Sequence, residues 1–151
     1  MEHEAIMFGP WGGKGGSTWD TLETQDITRI KIYYGDVIYG LDITYVIDGK
    51  RQTLSVGGTG GNVWNEIILK EYEYFNYIAG FYGPVNPGGV IVIKQLTLGT
   101  NKGTRVTVGT TQDGDIPFPT TPLPSPYKIV GFFGRASTAI DAIGIYCYEI
   151  N

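Results

Sequence analysis

One cysteine and one histidine stand in 151 residues, and only 17% of the chain is charged. A single thiol cannot close an internal disulfide. Cys147 lies in an alternating apolar run, so it is expected to be a small core or interface hydrophobe rather than a reactive thiol. His3 lies close to the amino end, and a Ser-His-Asp or Cys-His arrangement built on it is not expected. No cluster of histidine, cysteine and carboxylate has the spacing of metal ligands. A pair of carboxylates could serve a glycosidase, but nothing in the chain forces a pairing among Asp36, Asp42, Asp113, Asp115 and Asp141. Neither enzymatic activity nor a metal or other cofactor is therefore expected. Eleven basic residues face fifteen acidic ones with no Lys/Arg cluster, which excludes nucleic acid and anionic membrane surfaces as partners. No apolar run approaches the ~20 residues of a membrane span. Met1–Ala5 carries neither a basic nor an apolar leader signal, and the expectation is a cytoplasmic protein. The glycine-rich segments also miss the phosphate-binding patterns. Lys102 precedes Gly103 instead of following it, and no helix follows Gly12–Gly16 or Gly57–Gly61.

What is abundant is glycine, with 23 residues, and aromatic side chains, at 13%. Many turn formers, many aromatics and few charges describe an all-β chain, and the length is that of one domain spanning 1–151. Two-residue alternation marks strands at Ile27–Tyr33, Leu41–Ile47, Arg51–Val56, Val90–Leu98, Arg105–Val108, Tyr127–Phe133 and Ile140–Ile150. Asp48-Gly49 is the turn of a hairpin. Trp64–Tyr74 is the one stretch a helix could claim. Its β-branched and aromatic content, without a helical stripe, assigns it to a strand. Ile116–Pro126 holds five of the eight prolines and reads as an edge or loop segment, a stiff connection.

Internal repetition is the most informative pattern. Trp11-Gly12-Gly13-Lys14-Gly15-Gly16 returns 45 residues later as Val56-Gly57-Gly58-Thr59-Gly60-Gly61, and a weaker echo, Val108–Gly114, follows 52 residues on. Gly80-Phe81-Tyr82-Gly83 returns 51 residues later as Gly131-Phe132-Phe133-Gly134, and Tyr33-Tyr34-Gly35 is a degenerate first copy. Three units of about fifty residues, each too small for its own core, must bury their apolar faces against one another with pseudo-threefold symmetry. A double-glycine segment can serve simply as a tight turn between strands, or it can bare main-chain N–H donors to a ligand. Near the other end, Asp141 sits among small and apolar residues, where an unpaired carboxylate is costly to bury. It could cap a turn through nearby amides. It could equally accept from two adjacent ligand hydroxyls.

WGGKGG at Trp11–Gly16 and GFFGRASTAIDAIGIY at Gly131–Tyr146, in that order and with three degenerate repeats, make the chain similar to the jacalin-related lectins over nearly its whole length. The resemblance implies an all-β fold, the β-prism I of three four-stranded antiparallel sheets with pseudo-threefold symmetry. It also implies metal-independent sugar binding. The last glycine of the first loop, here Gly16, would donate its N–H to a sugar hydroxyl. The aspartate of a Gly-x-x-x-Asp loop, here Asp141, would accept from two hydroxyls, and backbone groups of Thr138 and Ala139 would complete the site. Val85 and Asn86, on a third bordering loop, are expected secondary contacts. Ser137 replaces the motif glycine, so a required positive φ would store about 1–2 kcal/mol of strain, while its hydroxyl could add a contact. Some relatives carry a second site in the first copy. Here Tyr39 stands at the acceptor position of Gly35–Tyr39, and no second functional site is expected. Galactose-binding members use a free amino-terminal glycine, whereas Gly16 is internal, which points to mannose or glucose glycans. Relatives are commonly oligomers, so a homodimer or homotetramer is expected. The competing reading is a β-prism interaction or structural module whose sugar site has decayed.

Overall fold

The alternating segments are strands. The computed structural model describes residues 4–150, so His3 lies outside it, and among the described residues there are twelve strands and no helix. They are β1 (Ile6–Gly12), β2 (Ser17–Asp20), β3 (Asp26–Tyr34), β4 (Ile38–Ile47), β5 (Lys50–Gly57), β6 (Trp64–Ile68), β7 (Phe75–Pro84), β8 (Ile91–Thr100), β9 (Arg105–Gly109), β10 (Ile116–Phe118), β11 (Tyr127–Ala136) and β12 (Ile140–Glu149). Three four-stranded antiparallel sheets result, ordered β1-β12-β11-β2, β5-β4-β3-β6 and β10-β7-β8-β9. This is the three-sheet prism that the resemblance implies.

Each sheet has a central hairpin, β11–β12, β3–β4 or β7–β8, flanked by two outer strands. The repeated glycine segments join those outer strands: β1 to β2, β5 to β6, β9 to β10. The echoes therefore mark loops, and the units are not three consecutive sheets. One sheet is built from both ends of the chain, with β1 and β2 embracing β11 and β12.

Side-chain alternation explains the core. In β4, Leu41, Ile43 and Tyr45 face inward. In β3 a bulge between Ile27 and Arg29 shifts the phase, so that Ile27, Ile30 and Ile32 all reach the interior. Phe75 of β7 meets Phe132 of β11 edge-on at 6.4 Å, and Trp11 of β1 stacks on Phe118 of β10 at 5.4 Å, joining sheets across the prism. Cys147 is buried in this core, where desolvation pushes its thiol up to about 11, as expected of an inert hydrophobe. Asp48 and Gly49, at φ 52° and 73°, form the left-handed pair of the predicted hairpin turn.

One expectation needs correction, and another is refined. Trp64–Tyr74 is a strand only through Ile68. Beyond it the chain turns, because the Glu73 carboxylate accepts from the Lys70 N–H at 2.9 Å and the Thr100 hydroxyl at 2.6 Å, pinning the turn to the end of β8. Within Ile116–Pro126, the first three residues are an edge strand paired with β7, and only the rest is connection.

Candidate functional site

Three pairs of loops gather at one end of the prism. Each pair is a glycine loop and a hairpin loop, joined by the same main-chain bond. Gly13 N–H donates to the Asp141 carbonyl at 2.8 Å, Gly58 N–H to that of Tyr39 at 2.9 Å, and Thr110 N–H to that of Lys94 at 3.1 Å. Asp141, Tyr39 and Lys94 thus hold equivalent positions, near the starts of β12, β4 and β8. Neighbouring pairs interlock. Gly13 packs on the Ile91 backbone, Gly58 packs on the Thr138 carbonyl, and the Thr110 hydroxyl donates to the Asp36 carbonyl at 3.1 Å. Val37, Val92 and Ala139 form a small apolar cluster of their own at this end.

At the Asp141 position the glycine loop lies directly on the carboxylate. A methyl group built on Gly16 would come within 2.8 Å of Asp141 Oδ1 and 2.3 Å of the Ala136 carbonyl, and one on Gly15 would come within 2.8 Å of Oδ2. With φ at +73°, Gly16 also adopts a backbone that only glycine takes without strain. Arg135 holds the loop from outside, its Nε donating to the Gly15 carbonyl at 3.0 Å and Nη2 to the Gly16 carbonyl at 2.8 Å. Gly16 and Thr138 are exposed, and neither amide N–H has an acceptor among the described residues. Asp141 itself is 2% exposed, with no cation within ion-pair distance among those residues. Its carboxylate takes one side-chain bond, from the Ser137 hydroxyl to Oδ1 at 2.9 Å. The arrangement offers main-chain donors beside a low-dielectric carboxylate. That chemistry suits a neutral polyol better than an ion.

The other two positions are filled by the protein. The Tyr39 ring lies against both of its loops: a methyl on Gly60 would come within 2.0 Å of it, and one on Gly35 within 3.0 Å. Lys94 is buried, and its Nζ donates to the Pro84 carbonyl at 3.0 Å and pairs with Asp115 Oδ2 at 3.4 Å. Asp115 Oδ2 in turn accepts from the Gln112 N–H at 2.8 Å.

Gly16, Ser137, Thr138, Ala139 and Asp141 therefore meet in one place. Ala139 turns its side chain into the apolar cluster, leaving only its main chain for a ligand. Val85 and Asn86 sit on the neighbouring loop, whose contact with Gly13 runs through Ile91. The strain expected at Ser137 is not found. Among the described residues the left-handed non-glycine ones are Leu22, Asp48, Asn62 and Tyr72, and the Ser137 turn closes through its own N–H to the Ala139 carbonyl at 2.9 Å. Sequence reasoning missed Arg135, the bordering Gly58 and the equivalence of Lys94. The arginine was within sight, since it directly follows the Gly131–Gly134 echo.

The family model of the jacalin-like lectin domain matches residues 8–146. The chain is 32% identical to Jacalin-related lectin 19 of Arabidopsis thaliana over 143 residues, which is 93% of this chain and 79% of that protein. It is 34% identical to a mannose/glucose-specific lectin of Parkia platycephala over 155 residues, covering 96% of this chain but only 32% of that longer protein. The solved structure of wild-type Malaysian banana lectin matches the fold with a TM-score of 0.83 at 38% identity, over 97% of this chain and 99% of that one. The chain belongs to the jacalin-related lectins, carbohydrate-binding proteins that are not enzymes.

Proposed function

We propose that this lectin binds mannose- or glucose-type glycans through one metal-independent site per chain. The observation that carries the reading is the packing of Gly16, exposed and with no acceptor for its N–H among the described residues, against the Asp141 carboxylate, which has no cation partner among those residues. Two neighbouring hydroxyls of a hexose donate to Asp141, while the Gly16 and Thr138 amides donate back to sugar oxygens. Protein groups alone then satisfy the hydroxyls, so no bridging ion is required. Val85 and Asn86 add secondary contacts from the next loop. The mannose/glucose reading takes Gly16 as an internal residue without a charged amine. The mannose/glucose preference rests on that point and on the naming of the Parkia relative. A few hydroxyl bonds only modestly outcompete water, so one site has an affinity of about a millimolar. A homodimer or homotetramer meeting a branched glycan would raise it by avidity.

The test is titration with methyl α-mannoside to tens of millimolar, followed by amide NMR shifts. Shifts are expected at Gly16 and Thr138–Asp141. Asp141→Ala should lose them, while its melting temperature moves by only about 2–4 °C. No shift in the native protein would favour an interaction module with a decayed site. Unfolding of the variant would make the carboxylate structural.

A further inference from the structure

We infer that Ser137 is a built-in competitor for the sugar, a side chain that sets the affinity of the site from within; the inference rests on the reading of Gly16 and Asp141 as the sugar site. The Ser137 hydroxyl donates to Asp141 Oδ1 at 2.9 Å. That oxygen has few other directions free. Gly16 lies over it closely enough that a methyl there would come within 2.8 Å, and the residue as a whole is 2% exposed. A sugar hydroxyl that needs Oδ1 must therefore displace the serine proton or share a crowded lone pair with it. The free protein is stabilised by a charge-assisted bond that the complex weakens, and the net gain on binding is smaller by that amount.

The serine itself has no other structural task that the geometry reveals. It is exposed, its φ is not left-handed, and the turn it begins is closed by its main-chain N–H rather than its side chain. Alanine fits the same backbone, so the hydroxyl can be removed without disturbing the loop. Ser137 is thus a specificity- and affinity-setting residue that acts through Asp141. Because it competes for Oδ1 only, it penalises ligands that need both carboxylate oxygens more than ligands that need one.

The experiment is calorimetric titration of the native protein and Ser137→Ala with methyl α-mannoside, alongside the 13C resonance of the Asp141 carboxyl without sugar. The inference expects Ser137→Ala to bind about three- to ten-fold more tightly, the worth of one exchanged hydrogen bond. It also expects the sugar-free carboxyl resonance to move. Equal or weaker binding by Ser137→Ala overturns the inference and leaves the lectin site standing, since the hydroxyl is then a neutral or helpful contact. An unmoved carboxyl resonance overturns it as well. Absence of binding by both proteins overturns the proposed sugar site itself, and the competitor with it.

Discussion

Asp141 and Lys94 occupy equivalent positions in two sheets, each bonded through its carbonyl to a glycine-loop amide, and they handle a buried charge in opposite ways. Lys94 is matched by Asp115, both side chains 3% exposed, and the pair welds the β9–β10 loop to β8. Among the described residues Asp141 has no opposite charge within ion-pair distance, and its carboxylate takes a bond from the Ser137 hydroxyl. A paired charge is committed to the fold, whereas an unpaired one under a bare main chain stays available to a ligand. Tyr39, the third equivalent, gives up charge altogether and closes its position with a ring. One architecture thus holds an open, a welded and a plugged version of the same site.

The sharpest way to break the comparison is Lys94→Met. It leaves Asp115 buried without its cation, and chemical denaturation should show a loss of about 3 kcal/mol, with mannoside affinity unchanged. Adding Asp115→Leu should recover much of that loss, because a hydrophobic pair of similar volume replaces a buried ion pair at little cost. A change in sugar affinity would mean that the two positions are coupled.

A smaller effect is expected from Tyr39→Asp, which places a carboxylate beneath the intact Gly57–Gly61 loop. Removing the ring should cost about 1–3 kcal/mol of stability. Calorimetry should then report two sugars per chain instead of one. A stoichiometry that stays at one would show that an aspartate under a glycine loop does not suffice.

Much of this was legible in the amino-acid sequence. The Trp11–Gly16 and Gly131–Tyr146 segments carry the resemblance to the jacalin-related lectins, and it is this resemblance that puts Gly16 and Asp141 together; the residues alone leave a plain glycine turn and a turn-capping aspartate open. The closing of one sheet by both chain ends was hidden, since the repeats mark connections and carry no record of which outer strands they join. Lys94 was hidden for a different reason. The β7–β8 loop is longer than its counterparts, which displaces the position from the Gly-x-x-x-Asp spacing, and its partner Asp115 lies on another loop. At Ser137 the residue type suggested backbone strain, yet the turn is met at ordinary φ, and the consequence lies in the hydroxyl.

The most direct measurement is a crystal structure of the native protein soaked with methyl α-mannoside. One hexose should appear per chain, its adjacent hydroxyls on the Asp141 carboxylate and a ring or hydroxyl oxygen on the Gly16 N–H, with nothing bound at Tyr39 or Lys94. Sugar density at either of those two positions, or none against Asp141, would contradict the assignment.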